Sequence, residues 1–506
     1  MKKKLVIIGA GIAGLSTALA WNKINNPNDV IILEKNPIPG GCVTTFARKG
    51  FRFDTTQIIP DVSNLLEFFD VDVKLKQFDN YYARLFLADP ENQTAKVFPI
   101  ASSKEEFQNY LIEHYPEDKD SIIRFFTYCQ EMYDELNYLK TEPKLQHIPG
   151  ILWNCKKIIA NSNLTYHQFL NKFHFNNPEV FQILDTFSSF SGLSGDRCVA
   201  LLTTCAMITT LKGAYRPEKG FIQFPITLRK KLESMGTEVV TKCEVIKIII
   251  KNGKASGVLL KTGEVIEADY VVSTVDTKVT FNNLLDITNR KNKYFKKVDK
   301  IQMSPSGFSI HLGLDDDIDL KKLGFNCGYN VLTTSGAFEN AFNHWDQGEL
   351  MVSDDCFHMA AICPSLITGG KQTLIMHVVP VHADKWIKLK ESDFNKYKEA
   401  KHKITDFYIN KLEQYMIPNL TKHIQYTDVS TPATYMRYIG TPTGSQYDML
   451  PVPSNFGKNR LPSRTSIDGL FITKFSHGIW PSMQAGLQII DMISGGKIMD
   501  GNSSLR

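Results

Sequence analysis

Three glycines near the start of the chain have the spacing that a dinucleotide's diphosphate requires. Gly9, Gly11 and Gly14 follow an apolar run and precede a stretch with helical character. In such a loop Gly9 permits a sharp turn off the strand, Gly11 lets the backbone approach the diphosphate, and Gly14 lets helix and strand pack closely. The N-terminus of the helix also attracts negative charge. The spacing therefore predicts a dinucleotide site.

The acidic residue that completes this motif stands at the expected distance. A second apolar strand over 30–33 ends at Glu34, about 20 residues after Gly14. Its carboxylate is expected to accept hydrogen bonds from ribose hydroxyls, which favours FAD or NAD over NADP. Ala13, just before Gly14, is one of the small residues that let the first helix pack closely.

The same opening residues have a second interpretation, because three lysines precede an apolar run that ends in Ala-Leu-Ala, as in a secretory signal. That alternative leaves Glu34 and its strand unexplained. The nine cysteines occur singly with no Cys-x-x-Cys pair, which is typical of a reducing compartment. No apolar stretch reaches the ~20 residues of a spanning helix. We therefore expect a cytoplasmic protein whose first residues form a strand.

Length and charge limit the remaining possibilities. A chain of 506 residues predicts two or three domains. Its formal charge of +5 is mild and not concentrated in a basic stripe, so no nucleic-acid partner is expected. The odd spacing of His377 and His382 places them on opposite faces of a strand, and no Cys/His ligand set is present, so no metal is predicted.

The segment after Glu34 resembles a known family. Residues 34–42 read EKNPIPGGC, and GFRFD follows over 50–54. This pattern resembles the FAD-dependent amine oxidase and phytoene desaturase superfamily, and its Gly-Gly-Cys form is most similar to the carotenoid isomerase and retinol saturase branch. The resemblance implies FAD as the cofactor, with Lys35, Gly41 and Cys42 beside it. Adjacent glycines let a loop approach a cofactor without Cβ clashes.

Two later segments extend the resemblance over nearly the whole chain. Residues 213–276 are similar to the family's second flavin segment, in which a backbone group at the position of Val245 holds the adenine. Near the end, GIWPSMQAG over 478–486 resembles the opening of the family's last helix, with Pro481 expected at its first position. The resemblance places Ser482 and Met483 at the flavin's pyrimidine edge.

The implied architecture is α/β, with two domains interleaved in sequence. A Rossmann-type FAD-binding domain takes residues 1–75, 210–285 and 440–506, and an α+β substrate domain, a sheet capped by helices, takes 76–209 and 286–439. Helices are expected over 102–139, 165–212 and 394–415. Six phenylalanines in the second helical region are expected to be mostly core, with some lining a tunnel: Phe169, Phe173, Phe175, Phe181, Phe187 and Phe190.

The resemblance implies an FAD-dependent oxidoreductase that acts on an apolar polyene or isoprenoid lipid by desaturation, saturation or cis–trans isomerisation. Such a substrate resides in a bilayer, so peripheral contact with the inner face of a membrane is expected. Two alternatives stay open: an amine or amino-acid oxidase of the same fold, and a flavoprotein-like binding protein without turnover. The second arises because Thr56, Lys474 and Phe475 depart from the family pattern. No catalytic residue, reaction direction or oligomeric state is assigned.

Overall fold

The computed structural model describes residues 2–55, 58–78, 81–139, 145–286, 292–323, 325, 328–348, 350, 356–456, 459–473 and 478–499. Its strands are β1 (Lys2–Ile8), β2 (Val30–Leu33), β3 (Thr45–Arg48), β4 (Phe51–Asp54), β5 (Ile59–Pro60), β6 (Leu75–Gln77), β7 (Tyr81–Asp89), β8 (Thr94–Ala101), β9 (Ala214–Pro217), β10 (Glu238–Val240), β11 (Val245–Lys251), β12 (Lys254–Leu260), β13 (Val265–Ser273), β14 (Ser306–Leu314), β15 (Tyr329–Thr334), β16 (His358–Ile362), β17 (Thr373–Val381), β18 (Ile424–Ser430) and β19 (Leu470–Ile472).

Its helices are α1 (Ile12–Asn22), α2 (Ser63–Phe69), α3 (Lys104–His114), α4 (Lys119–Asp134), α5 (Ile148–Asn154), α6 (Lys156–Asn161), α7 (Tyr166–Leu170), α8 (Pro178–Asp185), α9 (Ala200–Thr210), α10 (Gln223–Ser234), α11 (Thr277–Asn282), α12 (Lys293–Lys300), α13 (Ala337–Asp346), α14 (Ser365–Thr368), α15 (Ala383–Ser392), α16 (Phe394–Tyr415), α17 (Pro432–Ile439) and α18 (Ile479–Ser494). None of these helices is long and apolar enough to cross a bilayer.

One sheet, here called the nucleotide sheet, has a parallel core in the order β10-β2-β1-β13-β19. The antiparallel strands β11 and β12 extend it from the first half of β13. This doubly wound order confirms the predicted Rossmann-type fold. Because β1 lies in the middle and Lys3 forms a 2.5 Å ion pair with Glu238, the fold uses the residues that a secretory signal would remove.

The apolar runs of this sheet are continuous because both of its faces are covered. Leu5 and Ile7 of β1 pack in the core on one face, against helices α1, α10 and α18. Val6 and Ile8 pack in the core on the other face, with residues of α11 and α12. The sheet therefore holds the Gly9 loop rigidly at its carboxyl edge.

A second sheet, here called the cap sheet, has the order β18-β14-β17-β16-β15-β7-β8. Its neighbours are antiparallel except for the parallel pair β15 and β7. One face packs on α3, α4 and α7–α9, and the other packs on α15 and α16. The bounds predicted for α16 are confirmed, and the region 165–212, predicted to be helical, consists of the three short helices α7, α8 and α9, with 3-10 turns after α7 and α8.

The two sheets are interleaved in sequence as predicted. The strands of the nucleotide sheet come from residues 2–33, 238–273 and 470–472, and those of the cap sheet from 81–101, 306–381 and 424–430. The domain boundaries themselves stay a prediction. Core packing is confirmed for the predicted phenylalanines that are fully buried: Phe169, Phe173 and Phe187.

Candidate functional site

The loop from β1 to α1 has room only for glycine at two positions. Gly9 has φ +100°, and a Cβ there would lie 2.6 Å from Thr274 Oγ1. A Cβ on Gly14 would lie 2.0 Å from the Gly9 carbonyl oxygen. The backbone N–H of Gly9 donates to Leu33 O at 2.8 Å. The sharp turn and the close packing predicted for these two glycines are both present.

The second glycine segment lies directly beside this loop. Gly40 N–H donates to Ala10 O at 2.9 Å, and Gly11 and Gly40 form an isolated parallel bridge. A Cβ on Gly41 would lie 3.5 Å from Gly11 Cα, and the nearest atom to a Cβ on Gly11 is 4.0 Å away. The two segments therefore form a surface free of side chains, as the close approach of a diphosphate requires.

The N-terminus of α1 opens onto this surface. Its N-cap is Gly11, no side chain caps it, and its first turn, which contains Ala13, has no acidic residue. The first backbone N–H groups of a helix have no acceptor within the helix and carry partial positive charge. Free donors beside a loop without side chains fit the diphosphate of a dinucleotide.

The Glu34 carboxylate is buried and held in place by the backbone. Oε2 accepts from Ala10 N–H at 2.8 Å and Oε1 accepts from Asn36 N–H at 2.8 Å, while the residue is 6% exposed. Each oxygen keeps lone-pair capacity for a further donor. A fixed carboxylate beside the glycine loop fits the two hydroxyls of a ribose.

The backbone of Glu34 also positions the segment predicted to hold the adenine. Cys243 N–H donates to Glu34 O at 2.8 Å, and Lys242 N–H donates to Asn36 O at 3.1 Å. Val245 follows in β11, and its side chain is buried in the core. Only its backbone is therefore available, which agrees with the role that the resemblance implies.

Two predicted residues have side chains with other neighbours. The side chain of Lys35 lies over Gly440, because a Cβ there would meet Lys35 Nζ. The Cys42 thiol is half-buried, and burial followed by the Asp448 charge raises the pKa of Cys42 to about 11. Cys42 is therefore a neutral thiol at pH 7, and Lys35 spans from the nucleotide loop to the end of α17.

Helix α18 brings Ser482 and Met483 towards the same edge of the sheet, where its first turn lacks a side-chain cap and an acidic residue. Ser482 Oγ donates to Gly478 O at 2.8 Å, and Met483 is fully buried in the core. The Ser482 N–H also donates to Gly478 O, at 3.2 Å. The N–H groups of this terminus that lack an acceptor inside the helix are therefore those of Ile479 and Trp480, and the placement of Ser482 and Met483 beside the cofactor stays a prediction. The prediction for Pro481 was wrong: α18 begins at Ile479, so Pro481 is its third residue, which also needs no acceptor for an N–H group.

Sequence reasoning missed a buried ion pair that joins two flavin segments. Arg216 Nη2 lies 2.6 Å from Asp54 Oδ2, and both side chains are almost completely buried. Asp54 Oδ1 also accepts from Phe221 N–H at 3.1 Å and from the Thr45 hydroxyl. No sequence pattern pairs residues so far apart. Thr56, Lys474 and Phe475, the three positions that depart from the family pattern, lie outside the described residues.

A second missed feature is a chain of neutral polar groups on the cap sheet. Ser309 Oγ lies 2.7 Å from His377 Nδ1 and 2.6 Å from Tyr435 Oη, and His377 Nε2 lies 3.1 Å from Gln446 Oε1. Burial lowers the pKa of His377 to about 4 and raises that of Tyr435 to about 12. All four side chains are therefore uncharged at pH 7.

Aromatic residues connect this chain to the nucleotide loop. Phe190 stacks on Tyr329 with ring centroids 5.6 Å apart, and Tyr447 packs so closely on Gly192 that a Cβ there would lie 2.5 Å from its ring. Burial, and then the neighbouring Tyr329, Tyr435 and Cys42, raise the pKa of Tyr447, so its hydroxyl is neutral at pH 7. We call Phe190, Tyr329, Tyr447 and Tyr435 the aromatic row.

Comparison with known proteins assigns the chain to a family. A model of the family described as flavin containing amine oxidoreductase matches residues 12–397. The chain belongs to the flavin-containing amine oxidoreductase family. The family's name states that its members contain a flavin. The glycine loop, the two helix N-termini without side-chain caps and the buried Glu34 fit such a cofactor. As predicted, the protein is therefore an oxidoreductase with a flavin cofactor.

Three enzymes are among the curated relatives that the chain matches over most of its length. Prolycopene isomerase 1 of an Oncidium hybrid cultivar is 26% identical over 92% of this chain and 78% of that protein. Phytoene desaturase (lycopene-forming) of a Paracoccus species is 22% identical, with 89% and 88% covered. All-trans-retinol 13,14-reductase of Danio rerio is 22% identical, with 87% and 77% covered.

Solved structures confirm the fold. An oxidoreductase from Methanosarcina mazei aligns with a TM-score of 0.64 at 17% identity, covering 98% of this chain and 100% of that one. Cyclohexylamine oxidase from Brevibacterium oxydans aligns with a TM-score of 0.59 at 13% identity, covering 99% of both chains.

Proposed function

We propose that the flavin is FAD and that it lies along the surface formed by the two glycine segments. In this arrangement the first turn of α1 and Gly11 face the diphosphate. The Glu34 carboxylate accepts from the ribose hydroxyls, and the backbone at Val245 faces the adenine. The support for this placement is the fit of free donors, a loop without side chains and a fixed carboxylate within one edge of the sheet.

The flavin ring then lies beside Cys42 and the N-terminus of α18. When bound, the flavin supplies hydride exchange with a substrate carbon. The chain's own contribution is the free N–H groups of the α18 first turn, which stabilise negative charge on the ring. Met483, buried in the core, fixes the position of that turn. Cys42 adds no charge, because its thiol is protonated at pH 7.

The substrate is an apolar polyene or isoprenoid lipid, and the aromatic row is the observation that carries this proposal. Burial keeps Tyr329 and Tyr435 neutral by raising the pKa of each to about 12, and His377 beside them is neutral as well. A row of uncharged aromatic side chains presents the large apolar surface that suits a long conjugated chain. The relatives' names favour the same substrate class.

We also propose peripheral contact with a membrane through an exposed surface formed by α5, α6 and the 3-10 turn Leu145–His147 before them, here called the apolar patch. It consists of Leu145, Ile148, Leu152, Trp153 and Ile159, of which Leu145, Trp153 and Leu152 are 86%, 73% and 57% exposed. Lys156 Nζ lies 4.4 Å over the Trp153 ring. Large apolar side chains flanked by lysines are typical of surfaces that enter an anionic bilayer interface.

The proposed function is tested by supplying liposomes that contain cis and all-trans lycopene or phytoene to the purified flavoprotein, with either oxidised or anaerobically reduced flavin. We expect one of three products, distinguished by chromatography and absorption: a geometric isomer, a longer conjugated system or a shorter one. Peroxide release from amines without any polyene conversion would instead establish an amine oxidase. A colourless protein that does not take up added FAD would contradict the flavin assignment.

A further inference from the structure

Three side chains that could bind a metal meet where the helical layer contacts the edge of the cap sheet. His167 of α7 has its Nε2 3.0 Å from Asp185 Oδ1, at the end of α8, and 3.3 Å from Glu339 Oε1 in α13. One ligand atom from each of the three lies within 4.8 Å of the others. The three residues come from separate helices, so the cluster exists only in the folded chain.

The distances match ligands around one ion. Two atoms about 2.0–2.1 Å from a metal lie about 2.9 Å apart at a right angle and about 3.4 Å apart at the tetrahedral angle. The distances from His167 Nε2 to Asp185 Oδ1 and Glu339 Oε1 fall in this interval. Although His167 Nε2 and Asp185 Oδ1 are close, both are buried and neither forms a hydrogen bond of good geometry within the described chain.

Gly195 packs directly against these atoms, and no larger residue would fit in its place. A Cβ on Gly195 would lie 2.1 Å from Asp185 Oδ1 and 2.4 Å from His167 Nε2, and His167 N–H donates to Gly195 O at 2.8 Å. Its φ lies outside the left-handed region, so glycine is needed there for space and not for backbone conformation. The side chains of His167, Asp185 and Glu339 are 20%, 16% and 28% exposed, so the cluster is partly accessible to solvent although the His167 and Asp185 ligand atoms face inward.

Negative charge is in excess at the cluster. The carboxylates of Asp185 and Glu339 both face the His167 imidazole, and Asp196 directly follows Gly195 in the chain. The Arg197 guanidinium pairs with Asp346 at 2.7 Å, and its Nε lies 3.9 Å from Asp196 Oδ2. The surroundings therefore favour a bound cation.

We propose that His167, Asp185 and Glu339 bind a divalent first-row transition metal ion such as zinc, with water completing the coordination. One imidazole and two carboxylates form a ligand set that suits zinc, manganese or iron(II). The ion connects α7 and α8 to α13, which follows β15 of the cap sheet. Nearby, Gln182 Nε2 of α8 donates to Ser335 Oγ at 3.1 Å, in the turn between β15 and α13. The site is structural and independent of the flavin.

The test uses the full-length flavoprotein after removal of metals with a chelator. Zinc is added in a calorimetric titration, and bound zinc is measured by elemental analysis after gel filtration. We expect one zinc ion per chain, a rise in Tm with added zinc, and a cobalt(II) spectrum without the intense charge-transfer band of thiolate ligands. His167→Gln and Glu339→Gln are each expected to weaken zinc binding by about tenfold or more.

Two matched controls remove the same chemical groups from exposed positions on α16: His402→Gln and Glu399→Gln are expected to bind zinc as the unaltered protein does. Gly195→Ala places a methyl group against the ligand atoms and is expected to abolish binding, with circular dichroism and flavin absorption confirming that the variant folds. Absence of stoichiometric zinc overturns the proposal, as does zinc binding that persists in both ligand variants. The cluster is then an ion-pair network.

Discussion

At the scale of single residues, Glu34 is the side chain on which cofactor affinity depends most directly. Changing Glu34→Gln removes the charge from the carboxylate that accepts from Ala10 and Asn36 and, in our proposal, from the ribose. Hydrogen bonds to a charged group contribute about 1.5–3 kcal/mol each, so we expect the Kd for FAD to rise by about tenfold or more. Fluorescence titration of the apoprotein measures this, and the exposed Glu264→Gln is the control; equal affinities would show that Glu34 does not contact the cofactor.

Also at this scale, the Asp54–Arg216 pair is expected to matter for stability much more than an exposed pair of the same type. Asp54→Asn leaves the buried Arg216 cation uncompensated, at a cost of about 3–5 kcal/mol in the free energy of unfolding. Asp70→Asn breaks the ion pair of exposed Asp70 with Lys231 and is expected to change the free energy of unfolding far less, because solvent screens this pair. Urea unfolding of both variants compares them, and similar losses would mean that Arg216 is relieved by water or by structural relaxation.

At the scale of elements, the contact between α1 and α18 sets the positions of both helix N-termini that face the cofactor. A Cβ on Gly486 would lie 2.7 Å from Thr17 N and 3.1 Å from Ala13 O. Gly486→Ala should therefore push the helices apart, lower the free energy of unfolding by about 1–3 kcal/mol and weaken flavin binding. Thermal unfolding and flavin titration on the same sample measure the two effects.

Gly150 provides the matched control for this helix contact, because it also lies within a helix but a Cβ there meets no atom within 4 Å. Gly150→Ala should leave flavin binding unchanged and raise stability by up to about 1 kcal/mol, the difference in helix propensity. If Gly486→Ala behaved in the same way, the close contact of α1 and α18 would not constrain the cofactor site.

At the scale of the whole molecule, the apolar patch is expected to orient the protein on a membrane. Replacing Leu152 and Trp153 by Asp should lower binding to anionic vesicles by about tenfold or more, because each apolar side chain contributes about 1.5–3 kcal/mol when buried. Co-sedimentation measures the bound fraction. Ile246→Asp alters an exposed apolar residue on β11, outside the patch, and should leave binding unchanged; an equal loss in that variant would argue against a localised surface.

The parts of the site that were predicted without the family resemblance share one property: their residues belong to consecutive elements of the chain. The turn at Gly9, the packing of Gly14 and the acid at the end of β2 follow from a strand, a loop and a helix in succession, whose geometry is nearly invariant. The bounds of α16 were predicted because its Asp393 cap and apolar spacing are local signals. The region 165–212 is helical as predicted, and its division into short helices follows local signals such as the Thr165 capping box and the Asn177 cap with Pro178 at the start of α8.

The sequence by itself determined the position of the glycine loop and of the acid after β2, because short-range backbone geometry dictates them, and its resemblance to a known family implied the fold and the flavin cofactor. Only the tertiary structure decided which distant residues meet. It paired Asp54 with Arg216, joined Ser309 to His377 and Tyr435, and brought His167, Asp185 and Glu339 together from three helices. These contacts depend on the packing of whole elements against one another, and residues so far apart in the chain carry no local signal of their meeting.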